Sequence, residues 1–303
     1  MSRTEKQKKI KELLKEKNAI LLAHYYQSDE IQDIADILGD SLALSIEAAR
    51  TDAEIIVFAG VLFMAESAAI LSPDKTVLLP VIDAGCPLAD KITPAELKMM
   101  KDENPGAKVV TYVNSTAQTK ALSDICCTSA NAVQVVNSLT DAEKVIMAPD
   151  GNLARYTARF TEKEIIPWKG FCYVHNNVSP EAVRTAKDEH PKALFAAHPE
   201  CRLEVLDLAD FVGSTGAILK FARETEAEEI IVGTERGIMH QLKKENPEKT
   251  FIPASENMAC RDMKKTSLDD ILSSLEEMKH IIEVPEDVRI PAQRALKKML
   301  EVS

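Results

Sequence analysis

The sequence predicts an α/β protein made of three homologous αβα domains, each with a parallel sheet, in a pseudo-threefold triangular arrangement around a central active site. Two observations predict this fold. Short β-branched apolar runs alternate with helical stretches, as in parallel sheets covered by helices. Polar and cysteine landmarks also recur three times at spacings of 86 to 88 residues, and such repetition indicates copies of one supersecondary unit.

The strand predictions rest on short apolar runs, and the helix predictions rest on periodic apolar faces. The predicted strands are Ala19–Ala23, Ile55–Phe58, Thr76–Leu79, Lys108–Val113, Lys144–Met147, Leu194–Ala197 and Ile230–Val232. The predicted helices include Lys6–Lys17, Glu30–Leu38, Leu42–Arg50, Thr116–Ser123, Asn131–Ser138, Arg202–Leu208, Ile218–Glu224, Ser267–Lys279 and Asp287–Glu301. The expected domains are residues 1–85, with the C-terminal helices of 261–303 packed on them, then 86–171 and 172–260.

Two landmarks mark the start of each unit. His24, Tyr112 and His198 end equivalent strands, and a small hydroxyl residue follows each after 17 positions, namely Ser41, Ser129 and Thr215. Carboxyl ends of parallel strands are where α/β folds bind ligands. The hydroxyl residues precede helices, so they are expected to act as N-caps, to help bind an anion at the helix N-terminus, or both.

Further polar residues accompany these landmarks. Tyr26, Asn114 and Glu200 each lie two residues beyond a landmark, hence on the same face of an extended backbone. Together they offer proton donors, acceptors and orienting groups. A histidine at a strand end is also commonly a hydrogen-bonded structural residue, and that reading stays open. His175 follows Cys172 by three positions, so it either contacts the site or lies at the surface.

The six cysteines divide into two sets of three. Cys86, Cys172 and Cys260 recur in register, and three converging thiolates with an open fourth position suit a [4Fe–4S] cluster that binds substrate as a Lewis acid. The alternatives are small residues at tight strand ends, or a zinc site completed by histidine or water. Cys126 and Cys127 are interpreted as core residues, and Cys201 as a neighbour of the site that is not a ligand.

Composition and charge narrow the function. The net charge of −11 argues against a nucleic-acid or anionic-membrane partner. The longest apolar run, Ile55–Ala65, is too short to span a membrane, and no secretory signal is recognisable, so a cytoplasmic location with reduced thiols is expected. Neither a dinucleotide-binding GxGxxG nor a Walker motif is present.

A set of motifs in this chain resembles the iron–sulfur quinolinate synthase A family, from about residue 5 to the C-terminus. The matching stretches are Ala23–Tyr26, Gly39–Leu42, Ala59–Glu66, Gly85–Pro87, Gly170–His175, His198–Cys201, Val212–Thr215 and Thr234–Gly237. The resemblance implies three αβα domains around one [4Fe–4S] cluster. It also implies condensation of iminoaspartate with dihydroxyacetone phosphate to quinolinate, with release of phosphate and water, as a step of NAD biosynthesis.

The resemblance also implies roles for residues. Cys86, Cys172 and Cys260 would be the cluster ligands, and Tyr26, His198 and Glu200 the acid–base groups, with secondary roles for His175 and Ser214. The substrate-binding residues would be His24, Ser41, Tyr112, Val113, Asn114, Ser129, His198, Pro199, Glu200 and Thr215. Residues 255–260 carry a single cysteine, so the redox-switch disulfide of some members is not expected. The implied partners are the two substrates and, transiently, the enzyme that supplies iminoaspartate.

Three other functions are compatible with these residues. An aconitase-like hydro-lyase acting on another small dicarboxylate would use the same pocket. A non-catalytic cluster protein for electron transfer or sensing is disfavoured, because its ligands are normally closely spaced. A zinc-stabilised protein that binds small anions is the fourth candidate.

Overall fold

Three four-stranded parallel sheets organise the chain. The structure is a computed structural model that describes residues 1–302. Each sheet has the same strand order, in which the first strand lies between the second and the third and the fourth strand pairs with the third. The α/β class and the three similar units are thus confirmed. The triangular arrangement and the domain boundaries stay predictions.

The elements follow the same sequence in each unit. The first unit contains α1 (Arg3–Glu16), β1 (Ala19–His24), α2 (Asp29–Gln32), β2 (Ile37–Gly39), α3 (Ser41–Arg50), β3 (Ile55–Ala59), α4 (Leu62–Leu71) and β4 (Thr76–Leu78). The second contains α5 (Pro94–Glu103), β5 (Lys108–Tyr112), α6 (Ala117–Ala121), β6 (Ile125–Cys127), α7 (Ala132–Ser138), β7 (Lys144–Ala148), α8 (Gly151–Thr157) and β8 (Glu164–Pro167). The third contains α9 (Tyr173–Asn176), α10 (Pro180–Glu189), β9 (Leu194–Ala197), α11 (Leu203–Leu206), β10 (Phe211–Val212), α12 (Thr215–Glu224), β11 (Glu229–Gly233), α13 (Ile238–Glu245) and β12 (Thr250–Pro253). Two helices follow, α14 (Leu268–Glu277) and α15 (Glu286–Val302).

All seven predicted strands are present, but the second strand of every sheet was not predicted. β2, β6 and β10 are only two or three residues long and lie at a sheet edge. A run that short shows no readable period. The predicted helix Glu30–Leu38 is wrong in its second half, because α2 ends at Gln32 and the chain then enters β2.

Three aspartates make the same hydrogen bond in each of the three units. Asp36, Asp124 and Asp210 each accept a hydrogen bond at 2.8 Å from the backbone N–H of the residue 15 positions earlier, on the first strand of their unit. These aspartates are spaced 88 and 86 residues apart, which matches the spacing of the other landmarks. Each ties the short edge strand to the centre of its sheet.

The two C-terminal helices pack on different surfaces. Ile271 and Leu275 of α14 share a buried apolar cluster with Ile10 and Leu14 of α1, which belongs to the first unit. Helix α15 packs against α4 of the first unit and against α6 and β6 of the second. Within residues 1–302, no helix is long and apolar enough to cross a membrane.

Candidate active site

One closed cavity of about 70 Å3 collects most of the predicted site residues. Its wall contains His24, Tyr26, Ser41, Cys86, Tyr112, Asn114, Ser129, Cys172, His175, His198, Glu200, Thr215 and Cys260. These residues come from all three units, at the carboxyl ends of strands and the helix starts that follow. A larger open depression of about 700 Å3 lies near Arg236 and His240, and none of the six cysteines lines it.

Two predicted substrate residues, Val113 and Pro199, and the secondary residue Ser214 do not line this cavity. Val113 is buried and its backbone N–H donates to the carbonyl of Cys127, 2.9 Å away. Pro199 is buried between His198 and Glu200. The Ser214 side chain accepts the N–H of Ala217 and so caps α12. The roles predicted for these three residues stay predictions.

The helix starts differ by one residue from the predicted N-caps. Asp40 and Ser214 are the N-caps of α3 and α12, so Ser41 and Thr215 are the first helical residues, while Ser129 lies two positions before the N-cap Asn131. Asp40 also reaches across to the third unit. Its carboxylate accepts from the Ser214 hydroxyl at 2.9 Å and from the Gly216 N–H at 3.2 Å, which joins the two helix ends beside the cavity.

His24 and His198 are buried in equivalent positions and share one hydrogen-bonding pattern. The Nδ1 of His24 accepts the backbone N–H of Tyr26 at 3.1 Å, and the Nδ1 of His198 accepts that of Glu200 at 3.3 Å. Burial lowers the pKa of His24 to about 4 and that of His198 to about 3. Both imidazoles are therefore neutral at pH 7 and carry their proton on Nε2. The Nε2 of His198 lies 3.2 Å from the Ser129 hydroxyl.

Glu200 and His175 form a close buried pair at the centre of the site. The Nδ1 of His175 lies 2.6 Å from a carboxylate oxygen of Glu200, and the His175 ring stacks on His198 with centroids 4.4 Å apart. Burial alone would raise the pKa of Glu200, but the imidazoles of His175 and His198 outweigh burial and lower that pKa to about 2. The carboxylate is therefore ionised although it is 2% exposed.

Tyr26 keeps its proton and makes two hydroxyl contacts. Its phenol oxygen lies 2.7 Å from the hydroxyl oxygens of both Thr215 and Thr234, and burial raises the pKa of Tyr26 well above its usual value. The Thr234 hydroxyl in turn lies 2.9 Å from the Nε2 of His175. A continuous chain of hydrogen bonds thus runs from the Tyr26 phenol through Thr234 and His175 to the Glu200 carboxylate.

Two buried polar atoms of the cavity wall have no partner among the described residues. These are Oε1 of Glu200 and Oδ1 of Asn114. A buried acceptor without a donor costs about 1–3 kcal/mol. The cavity is therefore built to receive a molecule with hydrogen-bond donors or a positively charged centre.

The three cysteines predicted as ligands all lie on the cavity wall, each in the segment that follows the fourth strand of one sheet. A backbone N–H three residues further on faces each sulfur, from Ala89 to Cys86, from His175 to Cys172 and from Met263 to Cys260. Burial raises the pKa of all three thiols, that of Cys86 to about 12.

This donor set fits a metal centre. Metal binds the thiolate form, so these thiols would release their protons when a metal binds. Backbone N–H groups that point at the sulfurs are a feature of iron–sulfur sites. One atom each of Cys172, His175 and Glu200 also lies within 4.8 Å of the others, so these side chains could hold a metal ion.

The remaining cysteines lie elsewhere. Cys126 and Cys127 on β6 are buried among apolar side chains of the core. Cys201 is buried as well, and its thiol contacts the carbonyl of Gly233 at 3.6 Å. None of the three lines the cavity.

Sequence reasoning missed several residues at the site. Asp40, Phe63, Glu235 and Met263 line the cavity, and Thr234 contacts Tyr26 and His175 from behind its wall. The register carried a signal for Thr234 and Glu235, because both follow the third strand of their unit. Their partners Tyr26, His175 and Cys260 are distant in sequence, and that information is not local.

The fold and the site define the chain as an α/β enzyme with three similar units, in which acid–base groups and three cysteine thiols line one cavity. A family model described as Quinolinate synthetase A protein matches residues 8–301. The chain therefore belongs to the quinolinate synthetase A family.

Curated relatives agree with this assignment. The chain is 58% identical over 293 residues to the quinolinate synthase of Geotalea uraniireducens, a match that covers 97% of this chain and 96% of that protein. It is 55% identical over 295 residues to quinolinate synthase 1 of Methanosarcina acetivorans, with 97% of each chain covered. It is 53% identical over 303 residues to the quinolinate synthase of Alkaliphilus metalliredigens, with 100% of each chain covered.

Proposed function

We propose that the chain is a quinolinate synthase that condenses iminoaspartate with dihydroxyacetone phosphate, releasing phosphate and water, and so supplies NAD biosynthesis in the cytoplasm. The observation that carries the proposal is the cavity itself. It combines three cysteines from three units with neutral and ionised acid–base groups and two unpartnered acceptors. The names of the relatives support the same activity.

The anionic substrate would be bound by helix N-termini and a neutral hydrogen-bond donor rather than by a positively charged side chain. The N-terminal turns of α3 and α12 start at the cavity and offer unpaired N–H groups and the positive end of the helix dipole. The Nε2–H of His24 adds a neutral donor from the first unit. These groups suit carboxylates or a phosphate and explain how an acidic protein binds an anion.

Proton transfer is assigned to the hydrogen-bonded chain behind the substrate. The phenol of Tyr26 keeps its proton at neutral pH because its pKa is raised. The Glu200 carboxylate is ionised at the same pH because its pKa is lowered to about 2, so each group is in the protonation state that its role requires. Thr234 and His175 connect the two, so a proton taken up at Glu200 can be returned at Tyr26 without crossing bulk water.

Cys86, Cys172 and Cys260 would hold a [4Fe–4S] cluster with one iron free of protein ligands. When bound, the cluster supplies a Lewis acid that polarises a substrate oxygen. The carbonyl, imine and hydroxyl groups of the two substrates would face this side of the cavity. His198 and Ser129, which lie within hydrogen-bond distance of each other on the cavity wall, would orient the substrate.

Quinolinate formation tests the proposal directly. Anaerobically purified protein is incubated with iminoaspartate and dihydroxyacetone phosphate, and quinolinate and phosphate are measured together. The proposal expects the two products in equal amounts. Iron and sulfide present without quinolinate would instead support a hydro-lyase or an electron-transfer protein, and zinc in their place would support an anion-binding protein.

A further inference from the structure

Two buried carboxylates that line up in the threefold repeat contact the backbone of two cysteines at the site. The Oδ2 of Asp150 accepts the backbone N–H of Cys172 at 3.0 Å, and Oε1 of Glu235 accepts that of Cys260 at 3.1 Å. Both carboxylates lie two residues after the third strand of their unit, which ends at Ala148 or Gly233. They are 2% and 0% exposed, respectively.

Each carboxylate also fixes the start of the segment that follows its own strand. The second oxygen of Asp150 accepts the N–H of Leu153 at 2.7 Å and caps α8. The second oxygen of Glu235 accepts the N–H of Gly237 at 2.7 Å, and Lys264 pairs with the same side chain at 3.2 Å. Both oxygens are thus in use, and the carboxylate links the strand end to the cysteine loop.

The first unit breaks this pattern. Val61 holds the position two residues after β3, and its side chain cannot accept a hydrogen bond. There the connection is made by the backbone alone, from the N–H of Leu62 to the carbonyl of Ala84 at 2.8 Å. The Cys86 loop therefore lacks the carboxylate that its two counterparts have.

We infer that Asp150 and Glu235 are positioning residues that fix the Cys172 and Cys260 thiols for the metal centre, and that the first unit leaves Cys86 without such a support. This inference rests on the cluster of the proposed function. A carboxylate bound to the peptide N–H of a cysteine restrains the direction in which the thiol points, as outer-sphere partners do for metal-bound histidines.

The test replaces each carboxylate with its amide. Asp150→Asn and Glu235→Gln keep the volume, but an amide oxygen can accept from only one of the two N–H groups, and its own NH2 opposes the other. We expect loss of iron to a chelator to be about 10-fold faster, equivalent to about 1.4 kcal/mol.

Asp36→Asn is the matched control. It makes the same carboxylate-to-amide change at a side chain that accepts a backbone N–H at 2.8 Å and lies outside the cavity wall. It should leave the chelator kinetics at the wild-type value. Wild-type kinetics in both amide variants would overturn the inference, as would an equal change in Asp36→Asn.

Hydrogen exchange in the metal-free protein separates this inference from the proposed function. The amide of Cys172 should exchange more slowly in the wild type than in Asp150→Asn, whether or not a cluster ever binds. If the wild type contains no iron and sulfide but shows this difference, the proposed function fails and the positioning contact stands. If the cluster is present and exchange at Cys172 and Cys260 is unchanged in both variants, the inference fails. If one of the two amide variants, Asp150→Asn or Glu235→Gln, does not fold, the result of the other variant decides the test.

Discussion

Replacing Thr234 with valine should separate proton transfer from substrate binding. The hydroxyl of Thr234 joins the Tyr26 phenol at 2.7 Å to the His175 Nε2 at 2.9 Å, and it is not part of the cavity wall. Valine keeps the shape of the side chain and removes both hydrogen bonds. Tyr26 retains its bond to Thr215, whereas the Nε2 of His175 is left without its partner.

The size of the expected effect on stability and on kcat follows from these contacts. An unsatisfied buried nitrogen costs about 1–3 kcal/mol of stability, and loss of a positioned acid–base group lowers the rate about 100-fold or more. We expect kcat for quinolinate formation to fall by about 100-fold in Thr234→Val, with KM for both substrates close to wild type. Thr234→Ser keeps the hydroxyl and should restore most of the rate.

Steady-state kinetics of anaerobically prepared protein measure this effect, with iron content checked in each sample. Thr215→Val is the informative comparison, because Thr215 lines the cavity and contacts the same phenol. That variant should raise KM. A Thr234→Val enzyme with wild-type kcat would refute the chain from Tyr26 to Glu200, and so would a rise in KM alone.

Three further predictions concern stability and pH. The pKa values of His24 and His198 in the folded protein are about 4 and 3, below the unfolded value of about 6.5. Because these histidines become protonated more easily in the unfolded chain, the metal-free protein should lose stability as the pH falls from about 6.5 towards 4. Denaturant unfolding curves that do not change over this range would contradict this prediction. Asp40→Ala removes an N-cap and the contacts to Ser214 and Gly216, and should cost about 1–3 kcal/mol in urea unfolding, whereas Asp40→Asn should cost less because its amide oxygen can still cap α3; equal losses in the two variants would contradict this. Ile271→Ala in α14 should cost about 2–5 kcal/mol, because this side chain is fully buried against α1; a loss under 1 kcal/mol would show that α14 is only loosely attached.

Local patterns in the sequence were enough to predict the sheets and the residues that repeat in register. β1, β3 and β5 carry long enough β-branched runs to be recognised, and Cys86 and Cys172 stand at equivalent points of their units. The second strand of each sheet was not predicted, because two or three residues carry no period. Their positions are set by tertiary contacts such as the bond from Asp36 to β1.

Contacts between units could not be predicted in the same way. Thr234 lies 208 residues from Tyr26, and Asp40 lies 174 residues from Ser214. Only the folded arrangement brings these pairs within hydrogen-bond distance. The same holds for Asp150, whose role depends on a backbone N–H that is invisible to any pattern of side chains.

The central claim is that three repeated units each deliver one thiolate to a single cluster. Iron and acid-labile sulfide are measured in the anaerobically purified wild type and in six single cysteine-to-alanine variants. The claim predicts equal amounts of iron and sulfide in the wild type, their loss in Cys86→Ala, Cys172→Ala and Cys260→Ala, and their retention in Cys126→Ala, Cys127→Ala and Cys201→Ala. Loss of the cluster in Cys201→Ala, or retention of the full cluster in any of the first three variants, would contradict it.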